Sequence, residues 1–106
     1  MIVVTSETIA KKKIVRTIGL VRGNTVRARH IGKDILAGLR NIVGGEVHEY
    51  AKLIAESREQ ALDRMVDEAA SLGANAIIAT RYTTSVMMGG AAELLAIGTA
   101  VIVEDA

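Results

Sequence analysis

The sequence predicts an α+β domain, in which a small β-sheet is combined with two consecutive helices, one of them long. Extended, β-branched stretches come first, at residues 2–5 and 13–29. Apolar residues then recur at helical spacing through the middle of the chain. Two alternating stretches follow at 75–86 and 91–104, and the glycines within 87–90 favour a hairpin connection between them. This segregation of strands from helices is typical of the α+β class.

Glycines and one charged residue interrupt the predicted strands. Gly19 and Gly23 indicate a bulge, a bend or a turn at Gly23 and Asn24, so the stretch 13–29 is either one long strand or a hairpin. Apolar residues fall on both of its faces, which indicates that both faces are covered. Glu93 lies in a stretch otherwise suited to burial, and we expect it at an exposed edge position.

The helical pattern divides in two at Gly44 and Gly45. The first helix is predicted within residues 31–43, and the second begins at Glu46 and continues until Gly73 ends it. The second helix has about 27 residues and therefore spans ~40 Å. A compact domain of this size has a radius of gyration of ~13 Å and a diameter near ~33 Å. The ends of the helix must overhang the domain, which predicts that a second copy covers them.

The composition predicts a protein that assembles with copies of itself. Of 106 residues, 50% are hydrophobic and none is cysteine, and the mean hydropathy is +0.32. A single domain over residues 1–106 has a limited interior, so we expect the surplus apolar surface to be covered in a homo-oligomer. The sequence shows no export signal and no apolar run long enough to span a membrane. We therefore expect a soluble, cytoplasmic protein.

The charge pattern does not indicate a nucleic-acid partner. Basic and acidic residues nearly balance, 13 against 12, and the only aromatic residues are Tyr50 and Tyr82. Proteins that bind nucleic acids usually carry a basic excess, often with aromatic platforms for the bases. We expect neither a nucleic acid nor a membrane as a partner.

Local motifs for catalysis or cofactor binding are absent from the sequence. It has no Gly-x-Ser-x-Gly elbow and neither the Rossmann nor the Walker spacing, so no particular cofactor is indicated. His48 and Glu49 are adjacent and would point roughly 100° apart on a helix, and Lys52 occupies the position where a second ligand should stand. A metal site remains open, because symmetry can bring His30 or His48 of several copies together.

Three polar residues are candidate ligand-binding residues: Asp34, Tyr50 and Arg58. Arg58 lies between Ile54 and Ala61 within the apolar stripe of the long helix, where a buried guanidinium requires a partner such as Asp34. The alternative is an extended side chain at the edge of the stripe, with its charge in water. A site shared between subunits around these residues would bind a small ligand or a metal ion. An enzyme with a shared active site is the alternative function.

Spaced segments of the chain resemble the YbjQ-like family, which is labelled heavy-metal-binding. The matching segments are Gly19-x-Val21-x-Gly23, Lys33-Asp34-Ile35, Gly44-Gly45, Tyr50, Ser57-Arg58-Glu59-x-Ala61, Met65, Leu72-Gly73-Ala74-Asn75-Ala76 and Gly98-Thr99-Ala100-Val101. The resemblance covers nearly the whole chain and implies a dodecin-like subunit in a ring-shaped pentamer. Glu46 and Asn24 depart from positions where the family often has arginine and glutamate, so the resemblance transfers no functional charge to this chain.

Overall fold

The computed structural model describes residues 1–27, 45–86 and 92–106. Its elements, in chain order, are β1 (Ile2–Val3), β2 (Lys12–Arg27), α1 (Gly45–Ser71), β3 (Ala76–Val86) and β4 (Ala92–Asp105). The strands form a four-stranded mixed sheet in the order β1-β3-β4-β2, which confirms the α+β class. The predicted first helix and the predicted connection at 87–90 lie outside the described residues. Within those residues, no helix combines the length and the apolar character that crossing a membrane requires.

β2 is one continuous strand of 16 residues, so the hairpin alternative is wrong. It pairs antiparallel with β4 over its whole length, with register shifts between Ile14 and Arg16 and between Thr17 and Gly19. Gly19 has a φ of +142°, a conformation that favours glycine, and the predicted bulge at this residue is confirmed. Gly23 does not form a turn; it lies within the regular part of the strand.

β4 is the central strand between β2 and β3, so the predicted edge position of Glu93 is wrong. Glu93 is half-buried on the sheet face that points away from α1. Its Oε2 accepts a hydrogen bond of 3.2 Å from Nδ2 of Asn24 on the neighbouring strand β2. This bond provides a polar partner for a carboxylate that the sheet would otherwise leave half-buried and unpaired.

The helix α1 packs on the sheet through small side chains, close to β2. Its fully buried residues recur every fourth position: Ser57, Ala61, Met65 and Ala69. Three of them, Ala61, Met65 and Ala69, confirm the predicted stripe, and they pack against Val21, Ile77, Ala96 and Ala100. Gly23 lies directly beneath the helix, where an added Cβ would overlap backbone atoms of Ala61 and Met65. The missing side chain therefore allows the helix and the strand to approach closely.

Gly73 ends α1 as the sequence predicts. Its φ is +86°, its amide donates to the Ala70 carbonyl at 3.0 Å, and the amide of Ala74 donates to the Ala69 carbonyl at 3.0 Å. These two bonds define a Schellman motif, in which the residue after the helix adopts a left-handed conformation. The motif turns the chain from the helix into β3.

The opposite sheet face is covered at its other end by the N-terminal segment. There Ile2, Ile9 and Ile78 pack on a cluster of three buried residues, Ala76, Val101 and Val103. The predicted strand at 2–5 is shortened to Ile2–Val3, which pairs parallel with β3. Backbone hydrogen bonds continue beyond it, however, since Val4 donates to the Ile77 carbonyl at 2.9 Å and accepts from the Thr80 amide at 3.1 Å.

The chain is elongated and exposes more surface than a compact monomer of its mass. Its radius of gyration is 17.2 Å and its extents are 56 × 23 × 17 Å, against ~13 Å for a compact domain of this length. The accessible surface is 6909 Å², whereas roughly 5,700 Å² follows from the mass of a monomer.

Candidate functional site

A groove of about 600 Å³ lies between the middle of α1 and the ring of Tyr82 on β3. The residues that line it are Lys52, Ala55, Glu56, Arg58, Glu59, Gln60 and Tyr82. Small-molecule sites in proteins commonly have volumes of roughly 300–1,000 Å³. The groove therefore has the size of a ligand site and contains one of the residues that the sequence singled out, Arg58.

The groove exists because α1 packs mainly on β2 and β4, whereas β3 extends beyond the helix. Tyr82 stands opposite Ala96 in the β3–β4 register, and Ala96 is buried beneath α1. Because paired residues project to the same sheet face, Tyr82 lies on the face that carries the helix. No helix of the described residues lies directly above its ring, which is 46% exposed.

Arg58 is exposed in the single chain, which agrees with the alternative of an extended side chain at the edge of the stripe rather than with burial inside one copy. The residue that occupies the core at this point of the helix is Ser57, which is fully buried. Adjacent residues on a helix point about 100° apart, and the guanidinium accordingly leaves the core at the edge of the stripe. Its role in ligand binding stays a prediction.

The other two candidate residues cannot be placed in the groove. Asp34 lies outside the described residues, and its proposed pairing with Arg58 is therefore untested. Tyr50 belongs to α1 by its backbone, but its side chain is outside the described part of the chain. Both remain predictions as ligand-binding residues.

Both signs of charge are present in the groove. Lys52 and Arg58 are cationic, while Glu56 and Glu59 contribute carboxylates one helical turn apart. All four side chains are exposed, so their interactions with one another are weakened by solvent. With a phenol ring at one side, the groove can offer hydrogen bonds, either charge and an aromatic surface to a small polar molecule.

The described residues do not assemble a metal site. Within residues 1–27, 45–86 and 92–106, no three side chains of histidine, cysteine, aspartate or glutamate are grouped to hold an ion. His30 lies outside this part of the chain, and the side chain of His48 is likewise outside it. A metal site that involves these histidines stays a prediction.

Sequence reasoning missed most of the groove. Tyr82 is one of only two aromatic residues in the chain, and the single aromatic side chain on β3 was the available signal. Glu56, Glu59 and Gln60 belong to the polar side of the helix, which in the sequence is indistinguishable from an ordinary solvated face.

A family model described as "Putative heavy-metal-binding", YbjQ, matches residues 1–104 of this chain. A UPF0145 protein of Dehalococcoides mccartyi is 57% identical, with 98% of this chain and 100% of the relative covered. A UPF0145 protein of Methanosarcina acetivorans is 54% identical over 95% of both chains. A UPF0145 protein of Clostridium perfringens is 55% identical over the full length of both.

A solved structure also resembles the fold. It is a protein of unknown function from Pediococcus pentosaceus, assigned to the DUF74 family, and it superimposes with a TM-score of 0.65 over 98% of each chain. The sequence identity is 16%, so this similarity supports the fold alone.

Proposed function

Because the chain belongs to the YbjQ family, and because the described residues leave large hydrophobic side chains exposed, we propose that it is a subunit of a homo-oligomeric binding protein. Each subunit contributes the groove beside Tyr82, and the ligand is a small polar molecule or a metal ion bound at the subunit surfaces. The expected number of copies is five, which follows from the resemblance to the family.

The observation that carries the proposal is the set of large hydrophobic side chains that the described residues leave exposed. Leu20, Val26 and Leu72 are each more than half exposed. Contacts between copies would remove such side chains from water.

The character of the groove favours binding over catalysis. Catalytic groups commonly work in sites that exclude water, where burial and fixed partners adjust their protonation and strengthen their interactions. Lys52, Glu56, Arg58 and Glu59 are instead exposed in a groove that is open to solvent. Such a groove can hold and orient a molecule without transforming it.

Native mass spectrometry of the protein purified from its own cells tests both parts of the proposal. We expect a complex of about five times the 11.2 kDa subunit mass, with additional mass from a retained small molecule or metal. A mass of 11.2 kDa at micromolar concentration would overturn the oligomer.

Two variants separate the groove from the rest of the molecule. Arg58→Ala should keep the oligomer mass and reduce the fraction of complexes that retain the small molecule. Arg16→Ala is the matched control, because Arg16 is an exposed arginine on β2, far along the chain from the groove residues. Equal retention in both variants would exclude the groove as the ligand site. Loading with Zn²⁺ and with Cu⁺ tests the metal alternative, and less than one tightly bound ion per complex would exclude it.

A further inference from the structure

One end of the sheet has two strand edges that no described strand covers. Among the described strands, β2 is the last of the sheet and has β4 as its one neighbour. On the other side, β1 pairs with β3 only at Ala76 and Ile77, and the last backbone bond from the N-terminal segment reaches the Thr80 amide. Within the described part of the chain, the outer edge of β3 beyond Thr80 is therefore unpaired.

The two edges flank the same stretch of the central strand β4. Ile97 of the central strand stands between Arg22 and Arg81, and Ala92 stands between Arg27 and Val86. The register shifts of β2 lie before Leu20, and that of β3 lies between Ile78 and Arg81. Both uncovered edges are therefore regular strands, eight and six residues long when counted over 20–27 and 81–86.

We propose that the β2 edge (residues 20–27) of one copy pairs with the β3 edge (residues 81–86) of the next copy. This inference rests on the proposed homo-oligomer and specifies its contact. β2 and β3 both run antiparallel to β4 and so run in the same direction. Copies related by rotation about an axis along the strands keep that direction, so the new pair is parallel. Joining two different edges is a heterologous contact, which closes into a ring when the rotation permits.

The properties of β-sheet edges favour pairing with a strand of a second copy over exposure to solvent. A long edge strand exposes unpaired backbone donors and acceptors and invites another strand to pair with it. Natural sheets usually blunt such an edge with bulges and charged residues, and β2 has its two register shifts in the half before Leu20. The half from Leu20 onward lacks bulges and exposes the apolar side chains of Leu20 and Val26. Its one described exposed charge is Arg22, and its Asn24 carbonyl accepts a hydrogen bond from Nη1 of Arg64. That half has the properties of an interface.

The charges suggest the register of the new pair. Without a shift, Arg22 of one copy would stand beside Arg81 of the next on the same sheet face, which places like charges together. A shift by two residues keeps every side chain on its face and sets Arg81 beside Asn24. Within its own copy, Arg81 Nη1 donates to the carbonyl oxygens of Thr5 and Thr80, both at 2.8 Å. Because the Asn24 amide is bonded to Glu93, the guanidinium then also lies near a carboxylate. Thr83 stands beside Val26 in this register.

The same contact completes the groove. The second copy's β2 would lie beyond β3, and the α1 that packs on that β2 would lie on the same face as Tyr82. The groove of each copy is then bounded by two α1 helices, one from each copy. The proposed ligand site is thus shared between subunits.

Disulfide trapping tests this contact directly, because the natural chain contains no cysteine. Thr83→Cys is combined in turn with Val26→Cys, Asn24→Cys and Arg22→Cys. Within one copy, β4 separates the two cysteines by about 9.6 Å, and a disulfide requires Cα atoms closer than ~7 Å. A bond between the two engineered sites therefore joins two copies.

We expect oxidation to give a ladder of covalent multimers on a denaturing gel, strongest for Val26→Cys with Thr83→Cys, and reduction to return the 11.2 kDa band. Each single-cysteine variant can form at most a dimer. Thr83→Cys with Glu68→Cys is the control pair, since Glu68 is exposed on α1. If Thr83→Cys reduces the oligomer mass in the absence of oxidant, Arg81→Cys replaces it, with Asn24→Cys as the partner that the two-residue shift predicts and Arg22→Cys as the partner expected without a shift.

The outcomes distinguish this contact from the oligomer itself. A protein that is oligomeric by native mass spectrometry but gives no ladder above the control in any pair would overturn the edge contact and leave the homo-oligomer standing. A ladder that is strongest for the Asn24→Cys pair would support the contact and overturn the two-residue shift. A monomeric mass would overturn both proposals.

Discussion

The hydroxyl of Thr25 donates a hydrogen bond of 3.1 Å to the carbonyl oxygen of Ser57, and this bond joins β2 to α1 inside the core. Thr25 is 3% exposed and Ser57 is fully buried. The Ser57 hydroxyl in turn donates to the Leu53 carbonyl at 2.8 Å. A core built largely of alanine and valine thus contains a polar contact that fixes the position of the helix along the strand.

Replacing Thr25 by valine should reduce the free energy of unfolding by about 0.5–1.5 kcal/mol, the usual net contribution of such a bond. Valine has nearly the same shape, so the change isolates the hydroxyl. Urea denaturation of the Thr25→Val variant measures the effect. Thr17→Val is the matched control, because Thr17 is exposed on β2 outside the proposed contact; equal stability of the two variants would show that the buried bond contributes nothing.

Gly23 should tolerate no side chain, because the backbone of α1 occupies the space where a Cβ would stand. We expect Gly23→Ala to lower the free energy of unfolding by about 1–3 kcal/mol through overpacking. The overlapping atoms include the Ala61 carbonyl oxygen and the Met65 amide nitrogen. Trimming Ala61 to glycine should therefore fail to restore stability, and a restored midpoint in the Gly23→Ala/Ala61→Gly double variant would contradict a backbone collision.

The sequence predicts most of the fold because the local signals agree with the final structure. The 27-residue α1 begins at Gly45 and ends at Ser71, within two residues of the predicted bounds, since the apolar stripe and Gly73 define it locally. The bulge at Gly19 is equally local, because a positive φ favours glycine wherever it occurs. Gly23 was misread for the opposite reason, since its role depends on a helix that comes much later in the chain.

The candidate site was less predictable because it depends on distances between elements. Whether Ser57 or Arg58 faces the core is a matter of about 100° of helix rotation, which packing on β2 decides. The exposure of Tyr82 results from the position of α1 over β2 and β4 rather than over β3. Glu93 was expected at an edge because it is a charge in a stretch otherwise suited to burial, although its partner, Asn24, comes from a neighbouring strand.

The ion pair between Lys12 and Asp105 ties the ends of β2 and β4. Lys12 Nζ lies 2.6 Å from Asp105 Oδ1, and this hydrogen bond and the positive charge lower the pKa of Asp105 below its ordinary value of 3.8. Because the pKa is depressed in the folded state, the contribution to stability is present above pH 3.8 and is lost as the pH falls through the lower, folded value. The effect on stability should be small, because the carboxylate is largely exposed.

An NMR titration of the Asp105 carboxyl checks this pair. Lys12→Ala should raise the pKa of Asp105 toward 3.8, whereas Lys13→Ala should leave it low, because Lys13 is exposed and lies on the other face of the strand. A pKa of 3.8 or above in the unsubstituted protein would show that the pair is absent in solution.

Asn75 links the end of α1 to β4 through its side chain. Its Nδ2 donates to the Val103 carbonyl at 2.9 Å, and its Oδ1 accepts from the Val103 amide at 2.8 Å. The amide side chain thus pairs with the backbone of Val103 as another strand would. Asn75→Ala leaves the amide and the carbonyl of the buried Val103 without these partners. We expect the free energy of unfolding to fall by about 1–3 kcal/mol.

Amide hydrogen exchange shows where in the molecule Asn75→Ala reduces stability. The Val103 amide should exchange faster by a larger factor than the Ala96 amide, because only the former loses its partner. Ser71→Ala is the control at the same corner, since it removes an exposed bond from the Ser71 hydroxyl to the Glu68 carbonyl and should change stability by less than about 0.5 kcal/mol. Because Ala96 reports the cooperative unfolding of the central strand, equal acceleration at both amides would mean that Asn75 contributes only to global stability and does not hold Val103 locally.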